Sequence, residues 1–320
     1  MCIRKSPNQK MGRVLINIFI LIAVFGAGLS DSLLAQEHPL FVEAVNSRGD
    51  WQEGVVAARR VVFTDKARAG SEIDIDVPAE GKYQLLAYIH HNWRNRNAFP
   101  HIRVEAVDAK ENSHGGSHTL ENIWYLENSD PGRWFFVSLS ENPYWVLPEG
   151  RVRLRFRAEG RNSPWEDKSV PLESKVSIYG FILAPVTVNG DSLQSFLLIN
   201  PEHCGGRWNV VDYDKECSTN FVETEKKGAE FSCAISIPKA AYYSGVFSVL
   251  AAQGGSLGVE IENKGFSFKR TVTLKNNPEW QMCQLEPVYL NKGGYSIKVK
   301  NLEPTLLKMD FLLLSARIDD

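Results

Sequence analysis

One design is written twice along this chain. From residue 41 onward, runs of alternating apolar and polar residues, rich in Val, Ile, Phe and Tyr and punctuated by Gly and Pro, follow one another. Such alternation marks antiparallel strands with one buried face. No stretch holds a 3.6-residue apolar period long enough for a major helix, so the chain reads as all-β. The strands then recur in order. Ile73–Tyr88 corresponds to Cys233–Ser248 and His101–Ala106 to Ser256–Ile261. Trp134 with Val137 and Leu139 matches Trp280 with Cys283 and Leu285, Gly150–Phe156 matches Gly294–Lys300, and Gly180–Leu183 matches Asp310–Leu313. Five matches in one order indicate a tandem duplication.

The spacing between copies shrinks along the chain, from 160 at Pro78/Pro238 to 155 at Val104/Val259, 146 at Trp134/Trp280 and 130 at Phe181/Phe311. Each drop marks extra residues in the first copy, near 90–99, 112–128 and 160–175. Insertions between matching strands are loops, and loops on a rigid scaffold are where function concentrates. The expected organisation is a first β-sandwich module over 40–186, a linker around Ala184–Ser192, and a second module over 192–320.

The first 35 residues read as a secretory signal. Arg4, Lys5, Lys10 and Arg13 precede an apolar run from Leu15 to Leu29, and Leu33-Leu34-Ala35 offers a small residue for cleavage before Gln36. The run is short for a membrane span, which needs about 20 apolar residues. An exported protein with no transmembrane span after cleavage is expected, in the secreted, periplasmic or cell-surface compartment. Residues 41–188 carry 18 basic against 20 acidic residues and 189–320 carry 14 against 16. Each half is net −2, which argues against nucleic acid as a partner.

Four cysteines lie beyond the signal, at 204, 217, 233 and 283, and allow three connectivities. An oxidising compartment permits disulfides. Cys233 and Cys283 align with core-facing Ile73 and Val137 and are expected to be buried. Cys204 and Cys217 lie in loop-like segments and are the expected bridge.

Both copies resemble the galactose-binding-like β-sandwich (a jelly roll), particularly carbohydrate-binding modules of families six and thirty-five. The residues that carry the resemblance are a Glu in the opening strand (Phe41-Val-Glu-Ala44), a Pro/Gly turn leading to a Tyr strand (Val77 to Tyr83), and a Trp strand followed by Gly and an alternating strand (Trp134 to Phe156; Trp280 to Val299). A closing apolar strand beginning with Asp (Asp310-Phe-Leu-Leu-Leu314) completes them. The resemblance implies a polysaccharide or glycan ligand. It also implies a structural calcium, held by the opening Glu and closing Asp, oxygen ligands that suit a hard cation. Here the pair is split: Glu43 has Gly180 where the Asp would fall, and Asp310 has no clear opening Glu, with Glu202 or Asn200 as substitutes.

A pyranose packs its C–H face on an exposed aromatic ring while nearby polar groups bond its hydroxyls. The first copy's insertions have that chemistry. Trp93 stands among polar neighbours, with Asn92, Arg94 and Arg96 to bond hydroxyl or acidic groups. Trp124, Tyr125 and Trp165 add aromatics, and the resembled families place a ligand-touching aromatic near Trp134. Each of these Trp residues has a core reading beside the ligand reading, and for Trp280 the core reading leads. Arg151, Arg153, Arg155 and Arg157 share one strand face. They either grip acidic groups of a ligand or pair with Glu72, Asp74 and Asp76 across the sheet.

No motif requires an enzyme: His-Glu-x-x-His and Cys-x-x-Cys are missing, and Gly254-Gly255-Ser256-Leu257-Gly258, which has the Gly-x-Ser-x-Gly spacing, runs on into an alternating strand and not into the helix that a nucleophile elbow needs. The expected function is a non-catalytic, exported carbohydrate-binding protein, acting beside a separate carbohydrate-active enzyme where it serves degradation. A polysaccharide lyase or hydrolase on a β-sandwich, using the His, Tyr and Arg of the insertions, is the first alternative. A cell-surface adhesion or scaffold protein is the second.

Overall fold

A computed structural model describes residues 40–91, 99–114, 134–139, 144–163, 166–170, 176–189, 192–194, 196–214 and 216–317. Its strands form two antiparallel β-sandwiches, each with its own core, and residues 38–320 make one compact unit. Among the described residues no helix is long and apolar enough to cross a membrane.

In the first sandwich, a seven-stranded sheet runs in the order Trp145–Leu147, Gly81–His91, Val176–Pro185, Arg59–Thr64, Gln52–Val56, with Leu40–Glu43 and Trp134–Ser138 paired alongside. It packs on a six-stranded sheet ordered Arg48–Gly49, Gly70–Val77, Gly150–Ser163, Phe99–Asp108, Ser113–His114, joined by Glu166–Val170. The second sandwich repeats both orders. Asn209–Asp214, Thr219–Thr224, Leu307–Arg317, Ala241–Ala251 and Asn277–Leu290 form one sheet, with Phe196–Ile199 alongside. Gly205–Gly206, Glu230–Ile237, Gly293–Asn301, Gly255–Asn263 and Phe266–Leu274 form the other. A small hairpin of Thr187–Asn189 and Ser192–Gln194 lies between the sandwiches in sequence.

The alternation in sequence becomes alternation in burial. In Gly70–Val77, Ser71, Ile73, Ile75 and Val77 point inward and the intervening residues outward. Val176–Ala184 departs from this, being buried at every position, which is the pattern of a strand covered on both faces. What covers its second face is the other module. Val61, Leu86, Tyr88, Trp134, Tyr179 and Ile182 of the first sandwich form one cluster with Phe311 and Leu313 of the second.

Register places the copies one residue away from the match of Gly180 with Asp310. Val62 faces Ile178 and Val222 faces Met309, so those two are equivalent. A bulge then follows in each closing strand. The true counterpart of Asp310 is therefore Tyr179, and that of Gly180 is Phe311. Alternating sequence does not mark a bulge, because one extra residue in the ladder leaves the flanking apolar pattern in place.

The contact between modules is built from equivalent positions. The Trp134 N–H donates to the Ser218 carbonyl at 3.0 Å, and the Trp280 N–H donates to the Ala58 carbonyl at 2.8 Å. Ala58 and Ser218 are themselves counterparts, so the two bonds are reciprocal, as across a two-fold axis. At the centre the symmetry breaks. Arg59, whose counterpart is Thr219, is fully buried and donates to Asp310 Oδ2 at 2.5 Å. The Tyr88 hydroxyl donates to the same oxygen at 2.5 Å, and Thr219 Oγ1 donates to Oδ1 at 2.8 Å. The guanidinium carbon lies 4.4 Å from the Trp280 ring centroid and 5.0 Å from that of Trp134, within cation–π range on both sides.

The bridge is Cys204–Cys233, with Cα atoms 4.8 Å apart, so the expected Cys204–Cys217 pairing is wrong. Gly205 pairs with Ser232 in the ladder, and this sets Cys204 opposite Cys233. Cys217 is a free, buried thiol in a turn against the first module, and its carbonyl accepts from Arg59 at 3.5 Å. Cys283 is also free, and burial pushes its thiol up to about 12, which leaves it protonated and unreactive at neutral pH.

Two outcomes follow. A bridge across a sequence separation of 29 contributes about 3–4 kcal/mol by loop-closure entropy, so Cys204→Ser lowers the urea midpoint; an unchanged midpoint refutes the bridge. Asp310→Ala leaves a buried guanidinium unpaired and costs about 3–5 kcal/mol, whereas Arg59→Met with Asp310→Leu recovers most of that loss. Equilibrium denaturation of the single and double variants reads both effects, and equal losses in the two would contradict the pairing.

Candidate functional site

The positions expected to bind ligand fall into two groups. Asn92, Trp93, Arg94, Arg96, Trp124, Tyr125 and Trp165 lie outside the described residues. Trp134 is described, and it is not available to a ligand: it is 6% exposed, packed against Tyr88 and Arg59 at the contact between modules. It points away from the core of its own sandwich, as a ligand-binding residue would, but the second module covers that face. Trp280, its counterpart, is buried in the same contact.

The split calcium pair is not brought together. Glu43 is exposed at the end of Leu40–Glu43 and faces Gly180 in register. A side chain at Gly180 has no room, since a Cβ there would lie 2.5 Å from Phe41 Cε2 and 2.7 Å from the Val42 carbonyl oxygen. Asp310 spends both oxygens on Arg59, Tyr88 and Thr219. The Arg59 guanidinium already lies 2.5 Å from Asp310 Oδ2 and would repel a cation there, so the residues present do not fit a calcium site built on this pair. Glu202 is half-buried on the 3-10 turn Pro201–His203, and burial pushes its carboxyl up. Asn200, which caps that turn as Glu43 caps Ala44–Asn46, is its positional match.

Register does bring the first copy's insertions to a common place. In the seven-stranded sheet His90 faces Trp134 and His91 faces Val176. In the six-stranded sheet Phe99 faces Asn162 and Val170 faces Arg161. The segments 92–98 and 171–175 each join one sheet to the other, from His91 to Phe99 and from Val170 to Val176. Segment 115–133 arrives at Trp134, and 164–165 joins Ser163 to Glu166. Segments 92–98, 164–165 and 171–175 therefore attach at one end of the first sandwich, as does the C-terminal end of 115–133, whereas its other end follows His114, opposite Ala106. At the matching end of the second, Ala251 connects to Gly255 through a three-residue turn.

The arginine strand resolves toward pairing. Gly70–Val77 lies beside Gly150–Ser163, setting Arg151 opposite Asp76, Arg153 opposite Asp74 and Arg155 opposite Glu72. Arg153 donates to Asp74 at 3.0 Å, Arg151 to Asp74 at 2.5 Å and Arg48 to Glu72 at 2.8 Å. Hydrogen bonds from Arg48 to Glu72 and from Arg151 to Asp74 hold both carboxyls below the usual range. At one end of this face a groove of about 850 Å³ opens, lined by Arg48, Arg103, Arg155 and Arg157 together with Glu72 and Glu105.

Exposed aromatics among the described residues occur on the second module. Tyr242 and Tyr289 face each other in register, 40% and 48% exposed, with ring centroids 5.2 Å apart at an edge-to-face angle of 69°. Nothing in the alternating pattern sets them apart, since outward tyrosines are ordinary strand residues.

No family model matches this sequence, and no curated protein does. Among solved structures it is similar to the C-terminal family-six carbohydrate-binding module of a marine laminarinase from Zobellia galactanivorans, at 15% identity over 38% of this chain and 98% of that one, with a TM-score of 0.33. It is similar to a family-thirty-five module from Cellvibrio japonicus, at 16% identity over 38% of this chain and 92% of that one, TM-score 0.32. A tandem pair of family-twenty-two modules from a Paenibacillus barcinonensis protein matches 88% of this chain and 97% of its own, at 9% identity and TM-score 0.32.

The depressed carboxyls set a pH dependence. A carboxyl whose folded pKa lies below its unfolded value contributes stability above the ordinary range of about 4, and loses it as pH falls through the folded value. Thermal midpoints measured from pH 7 to pH 2 should fall below pH 4, and less steeply in Glu72→Gln/Asp74→Asn. Identical slopes would mean the lattice is solvent-screened throughout.

Proposed function

We propose that this protein is an exported, non-catalytic glycan-binding protein that holds its ligand at the insertion-bearing end of the first sandwich. The observation that carries this reading is the register, which brings the ends of segments 92–98, 164–165 and 171–175 and the C-terminal end of 115–133 to one end of the sandwich, while the second copy passes from Ala251 to Gly255 in a three-residue turn. The insertions supply the chemistry a sugar needs: Trp93, Trp124, Tyr125 and Trp165 for stacking, and Asn92, Arg94 and Arg96 for hydroxyls or acidic groups. The resemblance of both copies to families six and thirty-five supports the same ligand class. Export is supported by the basic and apolar start of the chain and by a disulfide. A separate carbohydrate-active enzyme is the natural partner where the protein serves degradation.

A glycan array with the mature chain identifies the ligand, and Trp93→Ala then tests the site. Losing a stacking indole costs roughly 1–3 kcal/mol, a ten- to hundredfold weaker Kd, with an unchanged thermal midpoint. Parental affinity in Trp93→Ala removes the site from this end. Release of unsaturated or reducing ends from the bound glycan would make the protein an enzyme.

A further inference from the structure

The outward face of the six-stranded sheet can be compared, group by group, with that of the five-stranded sheet in the second copy. Glu105 faces Arg155 as Glu260 faces Lys298. In the second copy the neighbouring strand satisfies the carboxylate: Lys269 Nζ lies 2.8 Å from Glu260 Oε1, and Ser267 Oγ donates to the same oxygen at 3.0 Å. Glu105 is half-buried, and among the described residues it has neither a hydrogen bond nor an ion pair. The Arg155 guanidinium opposite it is shared between Glu72 at 3.6 Å and Glu111 at 3.2 Å. Arg157, one row further, is bonded to Glu159. The unmet group on this face is thus an acceptor, and the cations around it are engaged.

Glu105 lines the groove of about 850 Å³, together with Gly49 and Gly70, a volume ordinary for a small-molecule site. Where the second copy sets Glu230 opposite Lys300, the first sets Gly70 opposite Arg157. A Cβ at Gly70 would meet nothing nearer than 3.9 Å, so packing does not demand the glycine, and its effect is to leave room. Arg48, whose counterpart is Gly205, stands beside that room. An ionised carboxylate only accepts hydrogen bonds and a guanidinium only donates them. A surface where the two alternate is matched by a group that does both, and a hydroxyl is such a group. An anionic ligand would meet Glu105, and a cationic one would meet the four guanidinium groups of the lining. A neutral polyol meets neither penalty.

We propose that this groove is a second glycan subsite, which takes a neutral pyranose whose adjacent hydroxyls donate to Glu105 and accept from Arg155, with the ring over Gly49 and Gly70. Two hydroxyls on neighbouring ring carbons reach both oxygens of one carboxylate, a charge-assisted pair of bonds. A guanidinium carries five N–H donors, more than the two contacts of Arg155 occupy, and 41% of that side chain is exposed. This assignment rests on the glycan-binding reading, but it uses a different surface from the insertion-bearing end. Separate variants test the two.

The test uses the full-length mature protein in affinity electrophoresis and calorimetry with four uncharged polysaccharides: hydroxyethylcellulose, galactomannan, arabinoxylan and laminarin. At least one should retard the parent. For that polymer Glu105→Gln, which keeps the shape and loses the charge, should bind about tenfold more weakly or worse. Gly70→Glu, which installs the second copy's residue in the open space, should lose at least as much, and both variants should keep the parent's thermal midpoint. Glu260→Gln removes the bonded counterpart of Glu105 and should stay within about twofold of the parent. Parental affinity in both groove variants overturns the subsite, whatever Trp93→Ala does. Equal losses in Glu105→Gln and Glu260→Gln mean a general charge effect and overturn it too. Binding that survives Trp93→Ala but not the groove variants supports the groove and removes the loop site. A parent that binds none of the four polymers, and nothing on a glycan array, overturns the glycan-binding reading itself and the subsite with it.

Discussion

A single buried ion pair decides how the two halves of this protein fit. Arg59 is wholly enclosed and Asp310 almost so, and taking both from water costs several kcal/mol apiece before their attraction is counted. The enclosure is tolerable because Tyr88 and Thr219 fill the carboxylate and Trp134 and Trp280 flank the guanidinium, although the guanidinium Nε is left without a hydrogen-bond partner. An apolar pair would stabilise the contact as well. What the ion pair adds is discrimination. The surrounding contact is nearly two-fold, so a first module could otherwise meet another first module, or a second another second. The first arrangement would bury two Arg59 guanidiniums with no acid, and the second two Asp310 carboxylates with no base. Only first against second pairs the charges.

That pairing determines which surfaces remain for a ligand. The sheet holding Val176–Pro185 and the sheet holding Leu307–Arg317 cover each other, so their outward faces are spent wherever the modules meet. Among the described residues, the six-stranded and five-stranded sheets lie outside the contact between modules. The first module's open sheet is a lattice of arginine and carboxylate, and its insertion-bearing end carries the aromatic-rich segments. The second module keeps short turns and exposes Tyr242 and Tyr289 at the part of its sheet left uncovered. Duplication supplied two scaffolds, and the contact between them left each with different ground to use.

Much of this is legible in the sequence because burial on a sheet has period two. Ile73, Ile75 and Val77 announce their strand, and the repeated order of strands announces the second sandwich. The pattern reports that a residue is buried, but not what buries it. Trp134 and Trp280 recur in both copies and admit two readings, ligand platform or shared core. The contact between copies is a third, and it retains both tryptophans because equivalent positions meet there. The continuous burial of Val176–Ala184 was the available signal. Asp310 misled for a related reason. Its one-residue offset from Gly180 is created by a bulge, and its role is set by Arg59, 251 positions earlier in sequence. The bridge between Cys204 and Cys233 depends on the two-residue strand Gly205–Gly206, too short for any periodicity to reveal.

The two copies also calibrate each other. At four central positions of the contact the first copy has Arg59, Tyr88, Trp134 and Tyr179, and the second has Thr219, Ser248, Trp280 and Asp310. Only the tryptophan is common. Its backbone N–H makes the reciprocal bond to the partner module, a role either copy can fill, whereas the other three pairs carry the charge and hydroxyl pattern that tells the copies apart. On the open sheets the comparison runs the other way. Arg155 and Lys298 keep a cation beside Glu105 and Glu260 in both copies, as sheet stability alone would require. One row further the copies part, with Gly70 and Arg103 in place of Glu230 and Gly258.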